Sequence, residues 1–219
     1  MFADRDAAGR ELARHLLALR DQAPVVLALP RGGVPVAAPI AEALNAPLDL
    51  MLVRKIGVPG HRDLAVGAIA GPDGETIVIN PDVAAMERLD EGDIERLAVP
   101  ERAELRRRQT LYLKGRMPIG LAGRTVILVD DGIATGATAR AALLQIRRAM
   151  PTRIVLAVPV ASAEAVAALR PCADDIICLD IPQPFHAVGA HYRGFPQVED
   201  EEVTAILASH RPRATPASP

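Results

Sequence analysis

Short apolar runs alternate along this chain with segments of helical periodicity. The apolar runs are bounded by Gly, Pro or Asp, as strands commonly are, and cover residues 25–29, 48–53, 65–70, 76–79, 125–129, 153–158 and 175–179. Helical patterns cover approximately 4–20, 34–45, 100–114, 137–149, 162–170 and 199–209. Strands that alternate with helices of this length predict an α/β fold, in which helices flank both faces of a parallel sheet.

The segment 56–80 interrupts this alternation. Its two strand-like runs are separated by Gly71-Pro72-Asp73-Gly74, a sequence typical of a tight turn. We therefore expect an antiparallel hairpin inserted into the α/β fold.

The segment 101–116 is rich in arginine and has a narrow apolar stripe formed by Leu105, Leu111 and Tyr112. This pattern predicts an exposed helix. The helix is either solvated, which is the usual state of a charged segment, or it covers the sheet or contacts another subunit.

Length and composition predict one globular domain over residues 1–209. Half of the 219 residues are hydrophobic, which is enough for a sizeable core, and the proline-rich segment 210–219 is expected to be a disordered tail. The net charge of −2 gives no electrostatic reason to expect nucleic-acid binding. No apolar run approaches the roughly 18–20 residues that span a bilayer, so no membrane association is expected.

The amino terminus and the cysteines favour a cytoplasmic protein. The first twenty residues form an amphipathic, charged pattern rather than a signal peptide. Cys172 and Cys178 have neither the spacing of a disulfide framework nor that of a metal site, which suits a reducing compartment.

The most informative segment is 126–138, where four apolar residues precede Asp130 and Asp131 and a glycine-containing turn leads into a helix. Ligands of open α/β sheets bind at the carboxyl ends of strands, which is where this turn is expected. Threonine hydroxyls, a glycine and unpaired helix N–H groups make the turn suitable for phosphate. The predicted phosphate-binding residues are Ala134, Thr135, Gly136, Ala137 and Thr138.

Two carboxylates beside a phosphate site would repel the phosphate unless the ligand presents another group to them. A ribose 5-phosphate resolves this conflict if its vicinal hydroxyls contact Asp130 and Asp131 and its phosphate contacts residues 134–138. A strand–turn–helix with ordinary acidic caps is the alternative. A Walker loop is excluded, because no Gly-Lys-Ser or Gly-Lys-Thr follows the glycines.

The segment 126–138 resembles the signature of the type I phosphoribosyltransferases. The resemblance extends from about Phe2 to Leu207 and is closest to members that carry the motifs LPRGGVPVA and VRKIG, found here at residues 29–37 and 53–57. It implies a Rossmann-like parallel sheet flanked by helices, with a small hood formed by about 181–209 and the N-terminal helix.

The glycine pair that follows the first strand is a second candidate phosphate loop. Gly32 and Gly33 free the backbone for unusual angles and close approach, and Arg31 supplies a forked cation suited to phosphate. The resemblance implies that this loop binds diphosphate and that the Pro30–Arg31 peptide bond is cis. A plain strand-to-helix turn is the alternative.

The segment Arg54-Lys55 is expected to end another strand. Lys55 is one of two lysines in a chain that otherwise uses arginine, so a compact ammonium group is predicted to be needed there. The resemblance implies that Arg54 binds near the diphosphate and that Lys55 is catalytic. His61 and Arg62 are expected on a mobile cover that excludes water, although an exposed loop histidine is the simpler interpretation of His61.

Three of the five aromatic residues, Phe185, Tyr192 and Phe195, lie close together after the last predicted strand. Such density predicts either a wall for a flat ligand or a small satellite core. The segment resembles the hood of purine phosphoribosyltransferases, which implies that Phe185 stacks on a base near Val188. Ala134 departs from the Asp that 6-oxopurine enzymes usually have there, so the identity of the base stays open.

The resemblance implies transfer of ribose 5-phosphate from 5-phosphoribosyl 1-diphosphate to a nucleobase-like acceptor, with release of diphosphate. The expected cofactor is Mg²⁺, held indirectly by Asp130 and Asp131 through ribose hydroxyls or water. A non-catalytic regulator that senses 5-phosphoribosyl 1-diphosphate or nucleotides is the main alternative. A hydrolase would need a nucleophile or metal cluster that the sequence does not display. A homo-oligomer is compatible with the sequence.

Overall fold

The structure of the chain is a computed structural model that describes residues 1–71, 76–114 and 116–210, with only the backbone described at residues 62 and 63. Five parallel strands form its central sheet. In spatial order they are β2 (Leu48–Leu50), β1 (Val25–Ala28), β6 (Thr125–Val129), β7 (Arg153–Val160) and β8 (Asp175–Asp180). The predicted parallel sheet is confirmed.

Helices cover both faces of this sheet, which is why its inner strands are apolar at consecutive positions rather than at alternate ones. One face packs against α1 (Arg5–Leu16) and α2 (Gly33–Leu44), and α7 (Asp200–Ser209) packs on α2. The other face packs against α5 (Ala137–Arg148) and α6 (Ala163–Leu169). A short 3-10 helix, Leu17–Gln22, extends α1.

A separate antiparallel sheet confirms the predicted insertion. Its strands, in spatial order, are β3 (Val53–Val58), β4 (His61–Ala70) and β5 (Thr76–Ile79). The turn predicted at 72–74 lies outside the described residues. One strand boundary was wrong: the run 48–53 does not form a single strand, because β2 ends at Leu50 and Val53 begins β3. Arg54 and Lys55 therefore belong to the antiparallel sheet and do not end a parallel strand.

Two helices lie between β5 and β6, and the first of them, α3 (Pro81–Met86), was not predicted. The sequence does hold a signal for it, since the side chain of Asn80 accepts hydrogen bonds from the N–H groups of Asp82 and Val83, and Pro81 occupies the first turn. The helix has only six residues, which is too short for a helical hydrophobic periodicity to be visible in the sequence.

The long helix α4 (Glu91–Leu113) begins well before the predicted boundary at residue 100. A reciprocal capping box between Asp90 and Asp93 starts it, and Pro100 is accommodated inside it. Leu105 and Tyr112 are buried, so α4 covers the antiparallel sheet and contacts α7 rather than standing free in solvent.

Among the described residues, no helix is long and apolar enough to cross a membrane. The hood forms after β8 from the 3-10 helix Val188–His191 and its flanking loops, and Phe2 of the amino terminus pairs with its Tyr192. The predicted disorder of 210–219 concerns a segment that, beyond residue 210, lies outside the described residues.

The contact between α1 and α2 depends on a glycine. A Cβ atom on Gly9 would overlap the carbonyl oxygen of Val36 and lie 2.5 Å from Pro39 Cγ. The absence of a side chain at Gly9 therefore lets the two helices approach closely over the sheet.

We predict that Gly9→Ala lowers the free energy of unfolding by about 1–3 kcal/mol, the usual cost of forcing a methyl group into a packed site. The matched control is Gly120→Ala, where a new Cβ would have no neighbour within 4 Å. That change should be neutral or should stabilise by up to about 1 kcal/mol, because alanine restricts the unfolded chain more than glycine does. Urea unfolding monitored by circular dichroism measures both, and equal effects would contradict the packing argument.

Candidate active site at the switch point of the sheet

The candidate site lies where the chain reverses its direction of travel across the sheet. Strands β1 and β6 are neighbours, with Ala28 paired to Val129. From β1 the chain passes through α2 to β2 on one side, and from β6 it passes through α5 to β7 on the other. When the connections after two neighbouring parallel strands leave in opposite directions, a crevice opens at the carboxyl ends of those strands. Both predicted phosphate loops lie at this crevice, on the same edge of the sheet as expected.

The two loops touch. The N–H of Leu29 donates to the carbonyl oxygen of Val129 over 2.9 Å. A Cβ atom on Gly32 would overlap the Oδ2 atom of Asp131, and one on Gly33 would lie 2.7 Å from the carbonyl oxygen of Val129. Gly32 has φ −60° and ψ −33°, an ordinary helical conformation, so this position needs glycine for space. The Pro30–Arg31 peptide bond is cis, as the resemblance implied.

The predicted phosphate loop has the geometry of an open helix N-terminus. Gly136 precedes α5 with φ 78°, in the left-handed region that favours glycine, and no side chain caps the helix there. The loop is tied to the neighbouring strand: the N–H of Ile133 donates to Val160, and Ser162 Oγ donates to the carbonyl oxygen of Ala134 over 2.7 Å. The exposed N–H groups at the start of α5 are therefore held in place before any anion binds.

Asp130 and Asp131 are both half-buried at the end of β6. Burial, and then the neighbouring charge of Asp131, hold the pKa of Asp130 well above its usual range. Burial also raises the pKa of Asp131, and the hydrogen bond from Arg5 opposes that rise. Two carboxylates that are poorly solvated and close together favour ligands that donate hydrogen bonds or carry positive charge.

Two residues that sequence reasoning did not assign to the site contact Asp131. Arg5 Nε lies 2.8 Å from Asp131 Oδ2, and Tyr192 donates its hydroxyl hydrogen to the carbonyl oxygen of Asp131 over 2.6 Å. No spacing rule links residues so far apart in the chain, so nothing in the sequence pattern could have paired Arg5 with Asp131.

Arg31 lies at the crevice but points toward the hood. Its NH1 atom is 3.4 Å from Glu199 Oε2 and 3.7 Å from Asp200 Oδ1, at the amino terminus of α7. The same Asp200 accepts a hydrogen bond from the hydroxyl of Tyr112 on α4. The predicted diphosphate-binding arginine is thus paired with carboxylates at the amino terminus of α7.

Arg54 and Lys55 lie on β3, in the antiparallel sheet. Arg54 forms an ion pair with Glu101 of α4, with NH2 2.7 Å from Oε2. Lys55 is exposed and pairs through its backbone with Ala68 of β4. His61 is the first residue of β4. The diphosphate-binding role of Arg54, the catalytic role of Lys55 and the covering role of His61 stay predictions.

The hood and the phosphate loop border a common cavity of about 650 Å³, whose walls include Ala134, Thr135 and Phe185. The ring of Phe185 is half-buried and stacks on that of His191, with centroids 5.8 Å apart. Val188 packs so closely on the phosphate loop that a Cβ atom on Gly132 would lie 2.5 Å from Val188 Cγ1.

The acidic pair is the candidate magnesium position. Carboxylate oxygens are the protein ligands that Mg²⁺ prefers, and it usually keeps several waters or substrate oxygens as well. In the described part of the chain, no group of three or more His, Cys, Asp or Glu could hold a metal by itself. Asp130 and Asp131 therefore fit the predicted magnesium ion only as indirect partners, which would contact it through ribose hydroxyls or water.

A larger apolar wall lines a second cavity of about 630 Å³, which lies away from the acidic pair. It is formed by the end of β2, the segment 116–121 and α5. Buried Asp49 on its wall accepts hydrogen bonds from the N–H groups of Leu50 and Ile119. These hydrogen bonds hold the segment 116–121 against the edge of the sheet. Asp49 therefore has a structural role.

Comparison with known proteins shows the family of the chain. Residues 4–192 match the model of the phosphoribosyl transferase domain family. Two Mycobacterium tuberculosis proteins, from strains CDC 1551 and H37Rv, each bear the name "Putative phosphoribosyl transferase" and are 47% identical over 212 residues. The match takes in 96% of this chain but 47% of each relative, so the chain spans about half the length of these curated relatives.

Solved structures agree with the fold. TT1426 from Thermus thermophilus superposes with a TM-score of 0.83 at 46% identity, over 96% of this chain and 99% of that one. A hypothetical protein from Neisseria gonorrhoeae with bound ppGpp has a TM-score of 0.52 at 12% identity, over 96% of this chain and 99% of its own, and shares the fold. From the family match over most of its length and its identity to these relatives, the chain belongs to the phosphoribosyltransferase family.

Proposed function

We propose that this chain transfers ribose 5-phosphate from 5-phosphoribosyl 1-diphosphate to a nucleobase nitrogen and releases diphosphate, with Mg²⁺ as cofactor. The observation that carries the proposal is that two glycine loops and a carboxylate pair meet at one crevice. Gly32 lies so close to Asp131 that a single ligand can contact both loops. The free thiols of Cys172 and Cys178 suit the reducing cytoplasm in which we place the protein.

The three parts of the donor correspond to three parts of the crevice. The 5-phosphate accepts hydrogen bonds from the N–H groups of residues 134–138 at the start of α5. The ribose hydroxyls donate to Asp130 and Asp131. The diphosphate lies against the backbone of Gly32 and Gly33, and Arg31 exchanges its carboxylate partners on α7 for diphosphate oxygens. This arrangement keeps phosphate charge and carboxylate charge apart.

Transfer breaks the bond between C1 of the ribose and the diphosphate oxygen and forms a bond from C1 to the acceptor nitrogen, which loses its proton to the departing diphosphate or to solvent. Positive charge develops on the sugar, and the carboxylates of Asp130 and Asp131 stabilise it. Mg²⁺, when bound, neutralises charge on the leaving diphosphate. The β3–β4 hairpin, which carries Lys55 and His61, is the proposed cover that excludes water.

The acceptor is proposed to enter the cavity between the hood and the phosphate loop. Phe185 supplies an aromatic face there, and Ala134 contributes no charged group. A flat, nucleobase-like acceptor suits these walls, because every base offers a π-face for stacking.

The test of the proposed function is the release of diphosphate from 5-phosphoribosyl 1-diphosphate and Mg²⁺ in the presence of a panel of purine and pyrimidine bases. We predict that one class of base supports turnover and that Asp130→Asn combined with Asp131→Asn abolishes it. Loss of preorganised electrostatic groups of this kind costs about 3–4 kcal/mol each in transition-state stabilisation.

Asp82→Asn is the control for the double variant, because Asp82 is an exposed acid on α3 and should leave turnover unchanged. Circular dichroism checks that both variants fold. Near-normal turnover in the double variant would refute the assigned site. Binding of 5-phosphoribosyl 1-diphosphate without turnover on any base would instead favour the regulator.

We predict that Gly32→Ala weakens the binding of 5-phosphoribosyl 1-diphosphate by roughly tenfold or more, the factor that one hydrogen bond to a charged group contributes. The new methyl group must displace the carboxylate of Asp131, whereas the backbone of Gly32 needs no change. Gly120→Ala is the matched control, since a Cβ atom there has no neighbour within 4 Å. Calorimetric titration measures both variants, and unchanged affinity in Gly32→Ala would show that the donor does not bind between the loops.

Phe185→Ala tests the acceptor side. We predict that it weakens acceptor binding by about 1–3 kcal/mol, the usual contribution of one aromatic–base stack, and that donor affinity hardly changes. His186→Ala, at the exposed neighbouring position, should change neither. The Michaelis constants for the two substrates separate these effects, and an equal loss for donor and acceptor would assign Phe185 a structural role in the hood.

A further inference from the structure

Arg5 makes three contacts at once although it lies at the far amino-terminal end of the chain. Its Nε lies 2.8 Å from Asp131 Oδ2, its NH1 donates to the carbonyl oxygen of Pro196 over 2.7 Å, and its guanidinium carbon lies 3.7 Å from the centroid of the Phe195 ring. Only 10% of its side chain is exposed. Fixing a long side chain this completely costs conformational entropy, so the arrangement calls for a functional or structural reason.

The backbone around Arg5 is fixed from both sides. Asp4 caps α1 by accepting a hydrogen bond from the N–H of Ala7, so Arg5 occupies the first position of the helix. Phe2 exchanges backbone hydrogen bonds with the hood, donating to His191 and accepting from Arg193. The amino terminus is therefore part of the hood, and it delivers Arg5 to the crevice from a fixed anchor.

The contacts of Arg5 match the shape of a guanidinium group. One edge bonds to the carboxylate, a second nitrogen bonds to a carbonyl oxygen, and the flat face stacks on an aromatic ring, a combination that an ammonium group cannot reproduce. The bond to Asp131 occupies one carboxylate oxygen. A carboxylate has about four acceptor positions, so Asp131 keeps capacity to accept a hydrogen bond from a ligand hydroxyl.

Tyr192 restrains the same residue from another direction, by bonding to the backbone carbonyl oxygen of Asp131. Its ring lies between those of Phe2 and Phe195, at centroid distances of 5.5 and 4.9 Å. Side chain and backbone of Asp131 are thus both held by one cluster of the hood and the amino terminus. Asp130 has its own restraint, the N–H of Asp131.

We propose that Arg5 is a positioning residue for sugar recognition: it holds the carboxylate of Asp131 in the orientation that accepts a ribose hydroxyl. This proposal rests on the proposed function, because it assigns the ribose to the acidic pair. It makes residues 2–5 of the amino terminus a working part of the sugar site. It also predicts that Arg5 affects recognition of the hydroxyl but not of the phosphate.

The test compares three ligands by calorimetric titration: ribose 5-phosphate, 2-deoxyribose 5-phosphate and inorganic phosphate. We expect the wild-type chain to prefer ribose 5-phosphate over the deoxy sugar by roughly tenfold or more, the factor that a hydrogen bond to a charged group contributes. In Arg5→Gln and Arg5→Lys this preference should fall to about two- to threefold or less, because a freed carboxylate no longer holds its orientation. Affinity for inorganic phosphate should stay the same in all variants.

Arg10→Gln is the matched control. Arg10 lies on the same helix as Arg5 but forms an exposed ion pair with Asp6. This variant should keep the full preference for the ribose. If Arg5→Gln does not fold, Arg5→Lys and Tyr192→Phe carry the test, because Tyr192→Phe removes only the hydroxyl that restrains Asp131. Tyr192→Phe should reduce the preference in the same direction.

The outcomes separate this proposal from the one on which it rests. If the wild-type chain binds none of the three ligands, the proposed function fails, and this proposal with it. If the wild-type chain prefers the ribose and Arg5→Gln and Arg5→Lys keep that preference, the proposed function stands and the role of Arg5 is refuted. If the Arg5 variants also lose affinity for inorganic phosphate, Arg5 has a general structural role and the proposal is overturned. If Arg5→Gln binds ribose 5-phosphate more tightly than the wild-type chain does, Arg5 hinders sugar binding and the proposal is overturned as well.

Discussion

The crevice depends on one constraint, the burial of two adjacent carboxylates at the end of the central strand. Asp130 and Asp131 repel each other and are poorly hydrated, so the structure must offset their charge. Arg5 offsets it from one side, and the N–H of Asp131 bonds to Asp130. A hydroxyl-bearing or cationic ligand completes the compensation. The close approach of Gly32, the anchoring of the amino terminus and the position of Tyr192 all serve this same pair.

The antiparallel sheet β3–β4–β5 does not join the parallel strands. An open parallel sheet exposes its crevice to water, and we propose that the β3–β4 hairpin covers it. Helix α4 packs on β3 and β4 and pairs its Glu101 with Arg54 of β3. The same helix contacts α7, whose acidic amino terminus holds Arg31. The antiparallel sheet, α7 and Arg31 are thus physically connected through α4.

Similarity to known proteins establishes the family of this chain but not its substrate. The chain and TT1426 match over nearly their whole lengths, whereas the chain spans about half of the Mycobacterium tuberculosis relatives. The family is established by this similarity. The substrate is a matter of the site, since one fold supports many activities. We propose that this chain distinguishes its acceptor in the cavity between Phe185 and the loop 134–138.

The sequence by itself determined the α/β class, the five parallel strands and the loop 130–138, because apolar runs, acidic pairs and glycines act through neighbours in the chain. It misplaced the strand boundary at residue 50 and the start of α4, since a break inside an apolar run and a proline inside a helix are resolved by packing. Only the tertiary structure brought Arg5 to Asp131 and Arg31 to Glu199. Those pairings join distant parts of the chain, and no local pattern encodes a contact whose geometry is set by the packing of whole helices.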